Sequence, residues 1–246
     1  MNHHHPILVV LLALTIGTGC TTSSFGHRSR ECDPDRELAR LRDEYDECRK
    51  NHQESDNHLI VDCDRAAIQI ERLALDFPRH VPTLLTVAVI AYYDAHDGSK
   101  AERYLDALFA VEPAHPEAAI LRSRISIDQG NLPAAKRVLE MQISYMPDHA
   151  GLREAHSSVL YMAHDLEGAR AEISAAEKLG APAWRVAFNR GLIAEDAGQN
   201  AEAAQQYEAA LTSNPDFKPA RSRLAGMKSG LGYNGGLSPP GKAGGG

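Results

Sequence analysis

The spacing of four prolines constrains this chain most. Pro78, Pro113, Pro147 and Pro215 are 35, 34 and 68 residues apart, the last gap being two periods of 34. Five alanines keep step: Ala66, Ala101, Ala135, Ala169 and Ala203, at intervals of 35, 34, 34 and 34. Four residues after each comes a large side chain: Ile70, Leu105, Leu139, Ile173 and Tyr207. Such a fixed period marks a stacked repeat, in which one unit cannot bury its apolar face alone and its neighbours complete the core. Each period contains two stretches of helical periodicity, and Gly130 and Gly198 fall midway in their units, at the turn between helices. A small residue lets two helices approach, and the large residue one turn on fills the gap to the next unit. The stack needs a polar-faced end. Phe217 to Ser229 supplies it, with Leu224 and Met227 facing inward and Lys218, Arg221, Arg223 and Lys228 outward.

These residues resemble the tetratricopeptide repeat. The fullest match is Trp184 to Pro215, with Gly191, Ala203, Tyr207, Ala210 and Pro215 in the family slots. Tyr92, Ala101, Leu105 and Pro113 match another unit, whereas Arg122 and Ser123 replace the usual Leu-Gly pair and Pro182 comes one residue late. The resemblance implies an all-α fold: a right-handed α-solenoid of about five helix pairs plus a C-terminal capping helix, over residues 34–229. It also implies that the first helix of each unit lines a concave side, where extended peptides or partner helices bind. The residues in those slots are Thr86, Ile90 and Tyr93; Ile120, Arg124 and Ile127; Glu154, Ser158 and Tyr161; and Phe188, Leu192 and Glu195. They include aromatic residues and Arg, the types enriched at interface hot spots, beside aliphatic and polar ones; the alternative is that several pack between units. The Lys and Asn pattern with which some family members clamp a chain-terminal carboxylate is missing.

Composition narrows the function. With 33 acidic against 26 basic residues the net charge is −7, so the basic footprint of a nucleic-acid binder is absent. Aromatics at 6% argue against a base-stacking platform. No nucleophile elbow or Cys-His signature occurs. Gly236 to Lys242 spells G-x-x-x-x-G-K, but Ala243 follows where a phosphate loop needs Ser or Thr. His80, His115 and His149 recur two residues after a proline. Units stacked ~10 Å apart cannot share one ion, so these read as turn residues or caps. His52, Asp56, His58, Asp62 and Asp64 surround the first turn and read as a solvated turn, with metal binding as the alternative. His156 and His164 read as surface or packing residues. The expectation is a non-enzymatic protein without cofactor, metal or small-molecule substrate, which binds protein partners.

The ends and the first unit speak of location. Ile7 to Ile16 is an apolar run too short to span a bilayer and suited to a signal peptide over residues 1–19. Gly17-Thr18-Gly19-Cys20 resembles a bacterial lipobox, which implies lipidation of Cys20, a tether over residues 20–33 and anchoring through acyl chains; a plain secretory signal is the alternative. By the same resemblance, Thr21 rather than Asp after the cysteine implies the periplasmic face of the outer membrane. Residues 230–246 read as a disordered Gly/Pro-rich tail. The first unit carries stripes Leu38, Leu41, Tyr45, Cys48, His52 and Ile60, Cys63, Ala67, Ile70, Ala74, Phe77 on two helices about a turn near Ser55 and Asp56. Cys48 and Cys63 are equidistant from that turn, so they face one another as a disulfide or as two buried thiols, with Cys32 left over. In size and plan the chain looks like type IV pilus pilotin and tight-adherence pilus lipoproteins. That likeness implies an envelope scaffold whose groove binds a secretin segment. An adaptor of cell-wall enzymes is the alternative, and a glycan-export scaffold a weaker third.

Overall fold

The computed structural model describes residues 33–54 and 61–229. The expected signal peptide, Cys20, Cys32, the first turn and the tail from 230 lie outside these residues, as do the side chains of His52, Asp56, His58 and Asp62. Eleven helices and no strand occur among the described residues: α1 (Pro34–Glu54), α2 (Val61–Asp76), α3 (Val81–Tyr93), α4 (Gly98–Val111), α5 (Pro116–Asp128), α6 (Leu132–Tyr145), α7 (Ala150–Met162), α8 (Leu166–Lys178), α9 (Ala183–Asp196), α10 (Asn200–Ser213) and α11 (Lys218–Lys228). The chain divides into two compact units, one ending at Phe77 and the other beginning at Pro78.

The first unit is the helix pair α1–α2. Leu38, Leu41 and Tyr45 of α1 and Ala66, Ile70, Leu73 and Ala74 of α2 are its buried residues. Cys48 and Cys63 are joined by a disulfide with their Cα atoms 5.5 Å apart. The expected stripe of α2 had Ala67 in place of Ala66; Ala67 is half-buried, and the stripe runs through Ala66 and Leu73.

The second unit contains four helix pairs and α11, and consecutive helices pack on one another. The repeating alanines Ala101, Ala135, Ala169 and Ala203 are fully buried, and so are Leu105, Leu139, Ile173 and Tyr207 one turn on. Ala220 and Leu224 of α11 close the last core cluster. The expected all-α solenoid is therefore the architecture found.

Caps repeat with the same period. Asp97, Asn131 and Asp165 each accept a backbone N–H three residues on, satisfying a donor that the first turn of α4, α6 or α8 leaves unpaired. The histidines do the same for the first helices of their units. His115 Nδ1 accepts from the Ala118 N–H at 3.3 Å and His149 Nδ1 from the Leu152 N–H at 3.2 Å. His80 Nδ1 lies 2.6 Å from Thr83 Oγ1 instead. The turns inside the units share a left-handed residue: His96, Gly130, His164 and Gly198, at φ of 52°, 73°, 59° and 74°. Two of the four are histidines, so the sequence shows only the glycine half of this slot.

Candidate functional site

The first helices of the second unit's repeats, α3, α5, α7 and α9, carry the expected binding residues. Polar pairs join α3 to α5 and α7 to α9, and three of them share one offset. The Arg124 guanidinium donates to the Tyr93 phenol oxygen, 31 residues earlier. Arg185 donates to Glu154 at 2.7 Å across the same 31 residues. Ser158 reaches Asn189 at 3.4 Å, again 31 residues away. The offset follows from the period. Equivalent residues are 34 apart, and the facing neighbour is one helical turn earlier on the next helix. At the end of the array, Arg223 of α11 binds Glu195 at 3.1 Å, and Tyr207 donates its hydroxyl to the other oxygen of Glu195 at 2.5 Å.

This ladder sorts the expected residues. Tyr93 and Arg124 are exposed, with Tyr93 retaining 44% of its surface. Arg124 makes no ion pair among the described residues. Ile90, Ile120, Ile127, Glu154 and Ser158 are half-buried. Thr86 is buried, and its hydroxyl donates to the Pro82 carbonyl at 2.7 Å. Tyr161 packs against two core clusters, and burial pushes its phenol above the usual range, opposed by Arg223. Phe188 packs edge-on to Phe217, 4.9 Å between centroids, and also against Tyr207. Leu192 is buried. The exposed members of the expected surface are therefore Tyr93 and Arg124, beside exposed Val89 and half-buried Ile90. Sequence reasoning missed Val89, Arg185, Asn189 and Arg223. The 31-residue offset between opposite polar types would have found Arg185.

Beside this end, Tyr92 donates to Asp128 at 2.5 Å and stacks edge-on with Tyr93 at 4.7 Å. Burial, then the Asp128 carboxylate, hold the Tyr92 phenol well above its ordinary range. No group of His, Cys, Asp and Glu among the described residues could hold a metal ion. No described helix is long and apolar enough to cross a membrane. The surface offers rings, aliphatic side chains and one guanidinium, which suit recognition of a protein segment.

Comparison with known proteins agrees. Two tetratricopeptide repeat family models match residues 92–159 and 155–216. Residues 92–216 are tetratricopeptide repeats, and the chain belongs to this class of helical repeat proteins. Among solved structures, TTC0263, a thermophilic TPR protein of Thermus thermophilus, is 19% identical with a TM-score of 0.63, covering 80% of this chain and all of that one. A tetratricopeptide repeat protein from Parabacteroides merdae is 17% identical with a TM-score of 0.59, over 79% of this chain and 70% of its own. YrrB, described as a TPR protein with an unusual peptide-binding site, is 11% identical with a TM-score of 0.50, over 65% and 81%. At these identities the likeness is one of fold. No curated protein matches the sequence.

Proposed function

We propose that this protein is a non-enzymatic scaffold of the bacterial cell envelope. It is anchored through lipid on Cys20 and holds a partner segment against the face formed by α3 and α5. Tetratricopeptide repeat proteins generally mediate protein–protein interaction, and the accessible Tyr93–Arg124 pair gives this chain an anchor of the hot-spot type. The observation that carries the envelope reading is the Cys48–Cys63 disulfide, a bond that persists in oxidising compartments and not in the cytosol. The apolar run before Gly17-Thr18-Gly19-Cys20 supports the same reading. Within the envelope we assign the protein to assembly of a secretion or pilus machine, on its likeness in plan to pilus lipoproteins.

The test is mass spectrometry of proteins copurifying from detergent-solubilised membranes, with a Tyr93→Ala/Arg124→Ala variant as control. A secretin or pilus component present with the native chain and lost with the variant supports the proposal. Recovery of cell-wall enzymes in its place contradicts the assembly role, and recovery of the chain from the cytosolic fraction contradicts the envelope.

A further inference from the structure

The second helices of the repeats each bury one stripe. In α6 that stripe is Ala135, Leu139 and Gln142. α6 carries a second apolar stripe, Ala134, Val138, Met141 and Tyr145, at helical spacings of four, three and four. Met141 and Tyr145 expose 46% and 53% of their surface. The repeat itself shows that this is not a requirement of the fold. The residues 34 and 68 positions after Val138 are Glu172 and Gln206, and those after Tyr145 are Leu179 and Ser213. Only α6 is apolar along the whole line.

The stripe lines a groove of about 580 Å³ together with Phe109 of α4, Pro113, and Arg122 and Ser126 of α5. The charges in the groove are unevenly satisfied. Arg122 is tied to Asp106 at 3.0 Å and to Glu102 at 3.7 Å. Arg137, on the rim beside Met141, makes no ion pair among the described residues. One step along the array, the corresponding space between α6 and α8 is occupied differently. There Glu172, in place of Val138, accepts from Arg153 at both carboxylate oxygens, so a charged pair stands where α6 presents an apolar side chain.

We infer that the groove between α4 and α6 is a second docking site, lined by other residues than Tyr93 and Arg124, and that it takes an amphipathic helix of a partner protein carrying an acidic side chain. The apolar stripe from Ala134 to Tyr145 is about 16 Å long, which is three turns of a helix laid along it. Phe109, Val138, Met141 and Tyr145 supply apolar and polarisable contact for such a face. Glu102 and Asp106 share Arg122, and Arg137 is the one charged side chain lining the groove without an ion pair among the described residues, so the group that complements it beside Met141 is a carboxylate. The protein thereby holds two partner segments through two separate sets of side chains.

The experiment is fluorescence anisotropy on the full-length chain with two synthetic amphipathic helices of about 18 residues, long enough to cover the three turns. Both carry the same leucine stripe; one has Glu and the other Lys at the position meeting Arg137. The Glu peptide is expected to bind about fivefold more tightly than the Lys peptide. Arg137→Glu should reverse the order. Met141→Ala with Tyr145→Ser, residues that stand in the equivalent places of α10, should abolish binding of both while the helical circular dichroism persists. Tyr93→Ala should leave both affinities unchanged. Absence of binding, equal affinities for the two peptides in the native chain, or loss of binding in Tyr93→Ala would overturn the assignment. A dimer of this chain that disappears in the Met141→Ala/Tyr145→Ser variant would overturn it too, since the groove would then belong to a second copy.

Discussion

Gly191 leaves the space that the ring of Tyr207 occupies. A Cβ at position 191 would stand 2.5 Å from Tyr207 Cε1 and 2.7 Å from Cδ1, inside any allowed contact. The ring is fully buried in the last core cluster, so it has nowhere to retreat. Gly191→Ala should therefore destabilise the array by about 1–3 kcal/mol, the usual effect of overpacking a filled core. Thermal unfolding followed by circular dichroism reads this directly. A variant as stable as the native chain would mean that α9 and α10 are not packed as described.

The left-handed turn slot gives the opposite sign. His164 holds φ at 59° where Gly130 and Gly198, one period away on either side, hold 73° and 74° without strain. His164→Gly relieves the side-chain clash of that conformation, partly offset by the larger entropy of glycine in the unfolded chain. The net gain should be about 0.5 kcal/mol. Its contact with Asp196 subtracts little, because the His164 side chain is 80% exposed. Chemical denaturation should show a raised midpoint with an unchanged slope; a lowered midpoint would refute strain at this slot.

The first unit depends on its cross-link. Cys48 and Cys63 are 15 residues apart, and closing a loop of that size contributes about 3 kcal/mol in the chain-entropy account. Cys48→Ser should loosen α1 from α2 and raise amide exchange there, while α3 to α11 keep their protection. Non-reducing peptide mapping provides the covalent check. Alkylation of Cys63 in the native protein without reductant would show that the bond does not form.

Alkaline pH should unfold the second unit. Burial, followed by the hydrogen bond to Glu195, holds the Tyr207 phenol well above its ordinary range, and burial with Asp128 does the same for Tyr92. The folded chain thus keeps protons that the unfolded chain releases near pH ~10. The stabilisation is present in full below that pH and declines as pH rises past it. The melting temperature should fall between about pH 9 and 11.5, and Tyr207→Phe should fall less steeply because the titrating group is gone. Equal slopes for the two proteins would remove Tyr207 from this account.

Much of the fold was legible because the repeat writes it several times. Ala101 to Ala203, the large residues after them and the end cap at Leu224 could be read from period alone, since close helix packing admits few alternatives at those slots. The candidate surface was harder. Thr86, Leu192 and Phe188 occupy the expected slots yet are used for packing, because the same helix face contributes both to the core and to the groove. Which neighbour a side chain meets depends on inter-helix register, visible only once Arg124 is seen against Tyr93 and Arg185 against Glu154. The exposed stripe on α6 was overlooked for a different reason. Averaging over repeats emphasises what the units share, and Val138, Met141 and Tyr145 matter because they depart from it.

Site-specific photocrosslinking in living cells reads whether the α3–α5 face holds a protein partner in the envelope. A photoreactive phenylalanine analogue is placed at Tyr93 and, as a control, at exposed Glu202 of α10. The expected result is a crosslinked envelope protein from position 93, absent from position 202 and lost when Arg124→Glu is added. No adduct at position 93, or the same adducts from both positions, would contradict it.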